Sequence, residues 1–263
     1  MMDYEDKTYG QRIAEIYDEI NVSYDPGLID LLAEFAEGGP ALELGIGTGR
    51  IALPLHEKGV AVQGIDVSKE MIAKLHAKPQ GTEIEVFTGS FAEFQLNRRF
   101  QLIYVVFNTF YALLTQEEQV KCFKSVAAHL APDGVFLMEA FFPNPGRYVD
   151  HQTVRSVSLS EDTVRFDVSE IDPVAQQVST QHVHLSNDGI RLYPVKLRYA
   201  WPSELDLMAQ IAGLALRHRW NSCARDEFTK NSRNHISIYG LGPRSHGIGC
   251  EHVLGLGAWH QHA

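Results

Sequence analysis

The stretch from Leu42 to Arg50, Leu-Glu-Leu-Gly-Ile-Gly-Thr-Gly-Arg, constrains this chain more than any other. An apolar strand, Ala41 to Leu44, runs into glycines at 45, 47 and 49, and a helix is expected to begin near Arg50. Glycines at such a junction let the backbone turn tightly and approach a ligand, because no Cβ intervenes. The dinucleotide fingerprint G-x-G-x-x-G sets a pyrophosphate at a helix N-terminus. Here the spacing is G-x-G-x-G, and an acid, Glu43, stands two residues ahead of the first glycine. A carboxylate there is poorly matched to a phosphate and well matched to a cation. A glycine-rich turn that binds nothing is the plain alternative.

The next strand weighs against that alternative. Val60 to Asp66 is an apolar run ending in an acid, about twenty residues past the glycine loop, where a carboxylate accepts hydrogen bonds from ribose hydroxyls. Ser68 follows as an expected N-cap for a helix through Leu75. A nucleoside with a cationic, phosphate-free arm describes S-adenosylmethionine, which carries a sulfonium and an ammonium.

Strands and helices then alternate. Ile84 to Thr88 ends at Gly89-Ser90-Phe91, and Gln101 to Val106 ends at Phe107-Asn108. Gln116 to Leu130 repeats apolar residues at helical steps, Ala131-Pro132-Asp133-Gly134 reads as a turn, and Val135 to Ala140 as a buried strand. This rhythm predicts an α/β chain with a parallel sheet covered on both faces, its ligands beyond the carboxyl ends of the strands.

On these motifs the chain resembles the class I S-adenosylmethionine-dependent methyltransferases over roughly residues 9–141. The resemblance rests on Glu43 to Gly49, Gly64 to Met71, Gly89-Ser90 and Leu130 to Gly134. It implies a Rossmann-like seven-stranded methyltransferase sheet with S-adenosylmethionine as cofactor. It places Glu43, Gly45 and Gly47 around the methionine part, Asp66 on the ribose, Val67 on the adenine face and Ser90 with Phe91 at the adenine edge. Phe107 and Asn108 would lie under the sulfonium, and Tyr9 and Tyr17 would belong to a cap. One departure is Ser90, where this family often has Asp; a hydroxyl accepts from the adenine amine more weakly.

Composition narrows the partners. A formal net charge of −10 offers no basic stripe for a nucleic-acid backbone. Cys122, Cys223 and Cys250 are too few and scattered for a disulfide frame or a C-x-x-C metal site. The start is polar and acidic without an apolar signal core, and no run approaches a membrane span. The expectation is a cytoplasmic enzyme with a small-molecule substrate, no bound metal, and neither nucleic acid nor membrane as partner.

Two regions flank the core. In the N-terminal one, Tyr9, Ile13, Ile16, Tyr17 and Ile20 fall on one helical face, and Tyr24 sits in a turn before a helix from Leu28 to Ala36. In residues 151–201 the period becomes two, with turns at Ser160-Glu161-Asp162, Asp172-Pro173 and Asn187-Asp188-Gly189. That pattern predicts an antiparallel lid of about four strands. It resembles the lid of bacterial natural-product methyltransferases, including those that dimethylate amino sugars, and it serves as a pocket wall or a homodimer surface. Ser203 is expected to cap the helix that follows, before two strands return to the core. The whole reads as one methyltransferase domain: cap 1–36, cofactor core 37–141, inserted lid 142–202, return 203–240 and a poorly ordered tail 241–263.

His182 and His184 share one face of a lid strand. They read as a metal pair lacking a third ligand, as an outward polar strand, or, for His182, as a general base. Segments at 180–185, 191–194 and 198–209 are also similar to indole C3-methyltransferases. There His182 with Tyr24 would take the indole proton, and Phe107, Phe110, Tyr111, Phe141, Phe142, Tyr148 and Trp201 would line an aromatic pocket. The leading expectation is therefore methyl transfer to an indole-type carbon. The alternatives are an amine or amino-sugar nitrogen and a phenol oxygen; behind these stand a non-catalytic nucleoside-binding module and a nicotinamide dehydrogenase.

Overall fold

The structure is a computed structural model, and it describes residues 10, 13–20 and 24–242. Tyr9 and the tail from 243 lie outside the described residues. Seven strands make one sheet: β1 (Ala41–Leu44), β2 (Val62–Asp66), β3 (Glu85–Thr88), β4 (Phe100–Val105), β5 (Leu130–Phe141), β10 (Leu214–Trp220) and β11 (Asn234–Leu241). Their order is β10-β11-β5-β4-β1-β2-β3. The first five run parallel, and β11 enters antiparallel to β5.

Alternation along the strands feeds two cores. Leu102 and Tyr104 of β4 face one side, with Leu28, Leu32, Leu55 and Leu75 from α1 (Pro26–Ala36), α2 (Ala52–Glu57) and α3 (Lys69–His76). Ile103 and Val105 face the other, with Phe123 and Val126 of α4 (Gln116–His129) and Leu205 and Met208 of α5 (Pro202–Ile211). Local chemistry sets the starts: Ser68 Oγ accepts from the Met71 N–H at 3.2 Å to cap α3, and Thr115 with Glu118 closes a capping box on α4.

Three expectations shift. Residues 131–134 fall inside β5 rather than before it; Phe100 pairs with Leu130 and Leu102 with Val135, so the four residues loop out of the ladder. Pro132 has no N–H to give that ladder. Helix α5 starts at Pro202 with Trp201 as N-cap, so Ser203 sits in the first turn and caps nothing. Proline's fixed φ suits the first helical position and moves the start forward. In the N-terminal segment a turn at 14–16 interrupts the expected single helix, and Tyr17–Ile20 forms a separate short one. Ile13 and Ala14 still bury themselves, against Met71 of α3 and Tyr193 of the lid.

The lid is β6 (Gln152–Leu159), β7 (Thr163–Asp172), β8 (Gln177–Ser186) and β9 (Gly189–Arg198), antiparallel in chain order. Asn187-Asp188 makes a two-residue hairpin between paired Ser186 and Gly189, as the sequence predicts. One face carries the rows Asp167-His182-Tyr193, Ser169-Thr180-Val195 and Ile171-Val178-Leu197. The last row merges with the core at Tyr199 and Ala200. No helix among the described residues is long and apolar enough to cross a membrane.

Arg198 pins this lid to the sheet. Its guanidinium is almost fully buried and donates to Gln119 Oε1 and Glu204 Oε1, both at 2.7 Å. Gln119 returns a bond to the Arg198 carbonyl at 2.9 Å. Burial pushes the Glu204 carboxyl up, but hydrogen bonds from Gln176, Arg198 and Gln116 outweigh it and hold it below the usual range. A carboxyl depressed in this way stabilises above its unfolded pKa, and that contribution is lost as pH falls through the folded value. Arg198→Met should therefore cost about 3 kcal/mol in urea unfolding at neutral pH. The wild type should also lose stability below about pH 4.5 more steeply than the variant. Equal midpoints at neutral pH would show that the pair does not hold the lid.

Candidate active site

The carboxyl ends of the parallel strands and the inner face of the lid enclose one cavity of about 1450 Å³. Single ligand pockets run roughly 300–1,000 Å³, so there is room for two molecules. Gly45, Gly47, Asp66, Val67, Phe91 and Phe107 line one end; Thr180, His182 and Asp167 line it from the lid.

At the glycine loop, Gly45 and Gly47 have φ of +74° and +56°. A Cβ on Gly45 would strike Thr109, whereas one on Gly47 would meet only open space. The backbone at Gly47 is therefore bare toward the cavity, a cradle for a closely seated ligand. Its N–H is spoken for: Asp66 Oδ2 accepts it at 2.8 Å, while Oδ1 accepts from Ser68 N–H at 2.8 Å. A phosphate would meet this carboxylate rather than a row of open N–H groups. An ionised carboxylate has about four acceptor sites, and the backbone N–H groups bound to it leave acceptor capacity here for a ribose hydroxyl. Burial raises the Asp66 pKa against backbone hydrogen bonds from Ser68, Gly47 and Val67.

Glu43 behaves differently from its expected role. It is buried behind the loop, off the cavity, and accepts from Tyr104 Oη at 3.0 Å. Burial pushes its carboxyl up to about 8, opposed by the Tyr104 hydrogen bond and the Arg50 charge. The cavity cation that follows this loop in sequence is Arg50, which the sequence marks as the start of a helix. Its guanidinium lies 3.8 Å from the centroid of Phe107 and 5.7 Å from that of Tyr17. A base directly after the last glycine was the available signal.

Phe107 and Asn108 adopt φ of +54° and +68°, a left-handed pair that non-glycine residues rarely take. Glu139 Oε2 accepts from Phe107 N–H (3.2 Å) and Asn108 Oδ1 from Phe141 N–H (2.7 Å), which fixes the turn under the cavity. The cap is tied down nearby: Asp18 accepts from Thr48 Oγ1 at 2.6 Å and pairs with Lys78 at 2.7 Å. Tyr17 thereby lines the cavity, and burial raises its hydroxyl pKa.

Not every expected residue converges. Ser90 is exposed and off the cavity, its hydroxyl accepting from Ala92 N–H at 3.2 Å. Tyr24 packs in the apolar cluster beneath α1, with Cys223 and Trp220, and does not line the cavity beside His182. Phe110 and Tyr111 are wholly core, while Phe141, Phe142, Tyr148 and Trp201 do line it. His182 has a different partner, one missed in the sequence. Its Nδ1 lies 2.6 Å from Asp167 Oδ1, and Arg155 holds Asp167 Oδ2 at 3.0 Å. Burial raises the Asp167 pKa, but the bonds from His182 and Arg155 prevail and hold it below the usual range. With Nδ1 donating to that carboxylate, the lone pair sits on Nε2.

Residues 41–134 match the methyltransferase domain family. Over the whole length the chain is similar to the CcbJ methyltransferase of Streptomyces caelestis, with 38% identity and a TM-score of 0.86, covering 91% of this chain and 100% of that one. It is 25% identical over 236 residues to the cypemycin N-terminal methyltransferase of a Streptomyces species, 88% of this chain and 96% of that protein. Over 160 residues it is 30% identical to the dTDP-3-amino-3,6-dideoxy-alpha-D-glucopyranose N,N-dimethyltransferase of Streptomyces fradiae, 56% of this chain and 62% of that protein. A bare glycine cradle, a ribose-competent acid and these likenesses agree: the chain belongs to the S-adenosylmethionine-dependent methyltransferases, with S-adenosylmethionine as its cofactor.

Proposed function

We propose that this enzyme methylates an amine nitrogen of a small natural-product-type metabolite, with His182 as the proton acceptor. The observation that carries the reading is the single cavity joining the Gly45–Gly47 loop and Asp66 to the Asp167–His182 pair. Two of the relatives above are named for methylating nitrogen, which favours an amine over the indole carbon of the sequence reading. Bound S-adenosylmethionine supplies a methyl group on a sulfonium. In this proposal Asp66 holds the ribose, and Val67 and Phe91 flank the adenine. Arg50 pairs with the methionine carboxylate, and Phe107 and Tyr17 close around the sulfonium. The amine lone pair forms the N–C bond as the S–C bond breaks, S-adenosylhomocysteine leaves, and the N–H proton passes to His182 Nε2. Asp167 positions the ring and stabilises its charged form.

The test is product analysis with methyl-labelled cofactor across a panel of amino sugars and peptides with free N-termini. Label on nitrogen is the expected result; label found only on carbon or oxygen acceptors would overturn it. For the cofactor end, Asp66→Ala should weaken S-adenosylhomocysteine binding by calorimetry, since bonds to a charged acceptor are worth about 1.5–3 kcal/mol. Unchanged affinity would remove Asp66 from the ribose.

A positioned base typically contributes about 10²–10⁴-fold, and less where the nucleophile is already neutral. His182→Ala should slow single turnovers by about 10–100-fold near pH 7 and by progressively less at alkaline pH, where the amine loses its proton unaided. Asp167→Asn should shift the same pH profile while sparing cofactor affinity. Wild-type rates in both variants would leave alignment alone as the source of catalysis.

A homodimer through the lid is part of this reading. On the outer face, the rows Leu159-Val164-Leu185-Ile190 and Phe166-Val183-Leu192 are apolar, and Leu159, Ile190 and Leu192 are more than half exposed. Four strands of about ten residues span roughly 19 by 33 Å, about 600 Å² per copy, near the ~800 Å² of a standard interface. Glu170 and Lys196 flank Ser179 in one row, so a two-fold axis along β8 lays each acid over the partner's base. Sedimentation should show a dimer that Ile190→Glu with Leu192→Glu converts to monomer. A wild type that is monomeric at micromolar concentration would refute it.

A further inference from the structure

The cavity has a second charge pattern away from the glycine loop. Beyond Arg50 and Asp66, its lining includes Arg147, Arg155, Lys230 and Arg233 against one acid, Asp167. Arg155 is matched to that acid at 3.0 Å. Arg147 touches the Tyr148 hydroxyl and ring, and neither it, Lys230 nor Arg233 pairs with an acid among the described residues. Three unmatched cations in one cleft stand out in a chain whose formal net charge is −10.

The fold brings them together. Arg147 lies on the loop leaving β5, and Lys230 and Arg233 lie on the loop entering β11. The two loops are joined where Phe142 N–H donates to the Arg233 carbonyl at 2.7 Å, and Asn234 pairs with Phe141. Strand order puts β11 four positions from β2, which ends at Asp66. At about 4.8 Å per strand that is roughly 19 Å along the sheet edge. The basic loops therefore stand at the acceptor end, clear of the ribose acid.

We propose that Arg147, Lys230 and Arg233 form a subsite for an anionic group, a carboxylate or a phosphate, carried by the acceptor at a distance from its methylated nitrogen. The proposal rests on the reading of this cavity as a methyl-transfer site. Exposed charges gain little singly in water. Charges of one sign along a cleft focus its potential, and guanidinium groups grip carboxylate or phosphate through paired charge-assisted bonds. The subsite selects acceptors bearing both an amine and an anion, and it draws them in over a negatively charged surface.

The test is calorimetry on the full chain with S-adenosylhomocysteine present, using inorganic pyrophosphate and succinate as separate probes. At least one should bind, and its preference assigns phosphate or carboxylate. Lys230→Glu with Arg233→Glu should weaken that probe about tenfold or more, and raising salt from about 0.05 to about 0.3 M should weaken it severalfold. The milder Lys230→Gln with Arg233→Gln should fall between, and S-adenosylhomocysteine affinity should stay within about twofold throughout, because these side chains lie at the other end. If neither probe binds, or the reversed variant binds as well as the wild type while S-adenosylhomocysteine still binds, the subsite is refuted and the methyl-transfer reading stands. Loss of S-adenosylhomocysteine binding by the wild type would overturn both.

Discussion

Burial of the Arg198 guanidinium is the constraint on which the rest of this architecture depends. A sheet of four strands attached through two chain crossings would otherwise be free to tilt. Here its last residue reaches into the second core and is held by α4 through Gln119 and by α5 through Glu204. Tyr111 Oη donates to the Ala200 carbonyl at 3.0 Å and reinforces the same junction. Breaking a buried charge network is costly because each remaining group keeps its desolvation penalty. Lid and sheet thus behave as one body, and the cavity between them has a defined shape.

That junction also explains the gradient along the lid. Its basal row, Ile171-Val178-Leu197, is apolar because it continues the core. One row out, Ser169 and Thr180 share a hydrogen bond at 2.8 Å, and a further row out stand Asp167 and His182. The outward order is hydrophobic, then hydroxylic, then ionisable. Each group sits at the depth where its desolvation is tolerable. The imidazole is near enough to the core to be aimed, and about a third of its side chain stays exposed.

Much of the architecture was legible because it is written in short-range chemistry. Glycines 45, 47 and 49, the acid ending β2, the Ser68 cap and the Asn187-Asp188 turn each act within a few residues, and each appears where its type predicts. Groups whose role depends on distant partners were harder to read. Asp167 meets His182 through strand register across fifteen residues, which no local pattern encodes. Glu43 was read as a wall residue, yet it points into the core toward Tyr104, because alternation in β1 decides its direction. Tyr24 reads as exposed in its turn, but it packs against the same apolar cluster as Trp220 and Cys223, some two hundred residues later in the chain. Two local boundaries failed where proline intervened, at Pro132 and Pro202.

For the proposed reaction, an Asp167–His182 pair in place of a Tyr24–His182 pair changes the chemistry. A tyrosine neighbour is neutral and offers an imidazolium little compensation. A carboxylate fixes the tautomer and stabilises the charge that appears when a proton is taken. Arg155 shares that carboxylate, donating to its other oxygen at 3.0 Å. The nitrogen acceptor proposed above needs a proton removed but no strong base to do it. An indole N–H is far less acidic than the alkylammonium formed at nitrogen, so a carbon acceptor would ask for a stronger base. In the proposed reaction the sheet holds the cofactor loop and the lid holds His182, so the distance between them is set by neither layer alone. It is set where Arg198 joins the two layers.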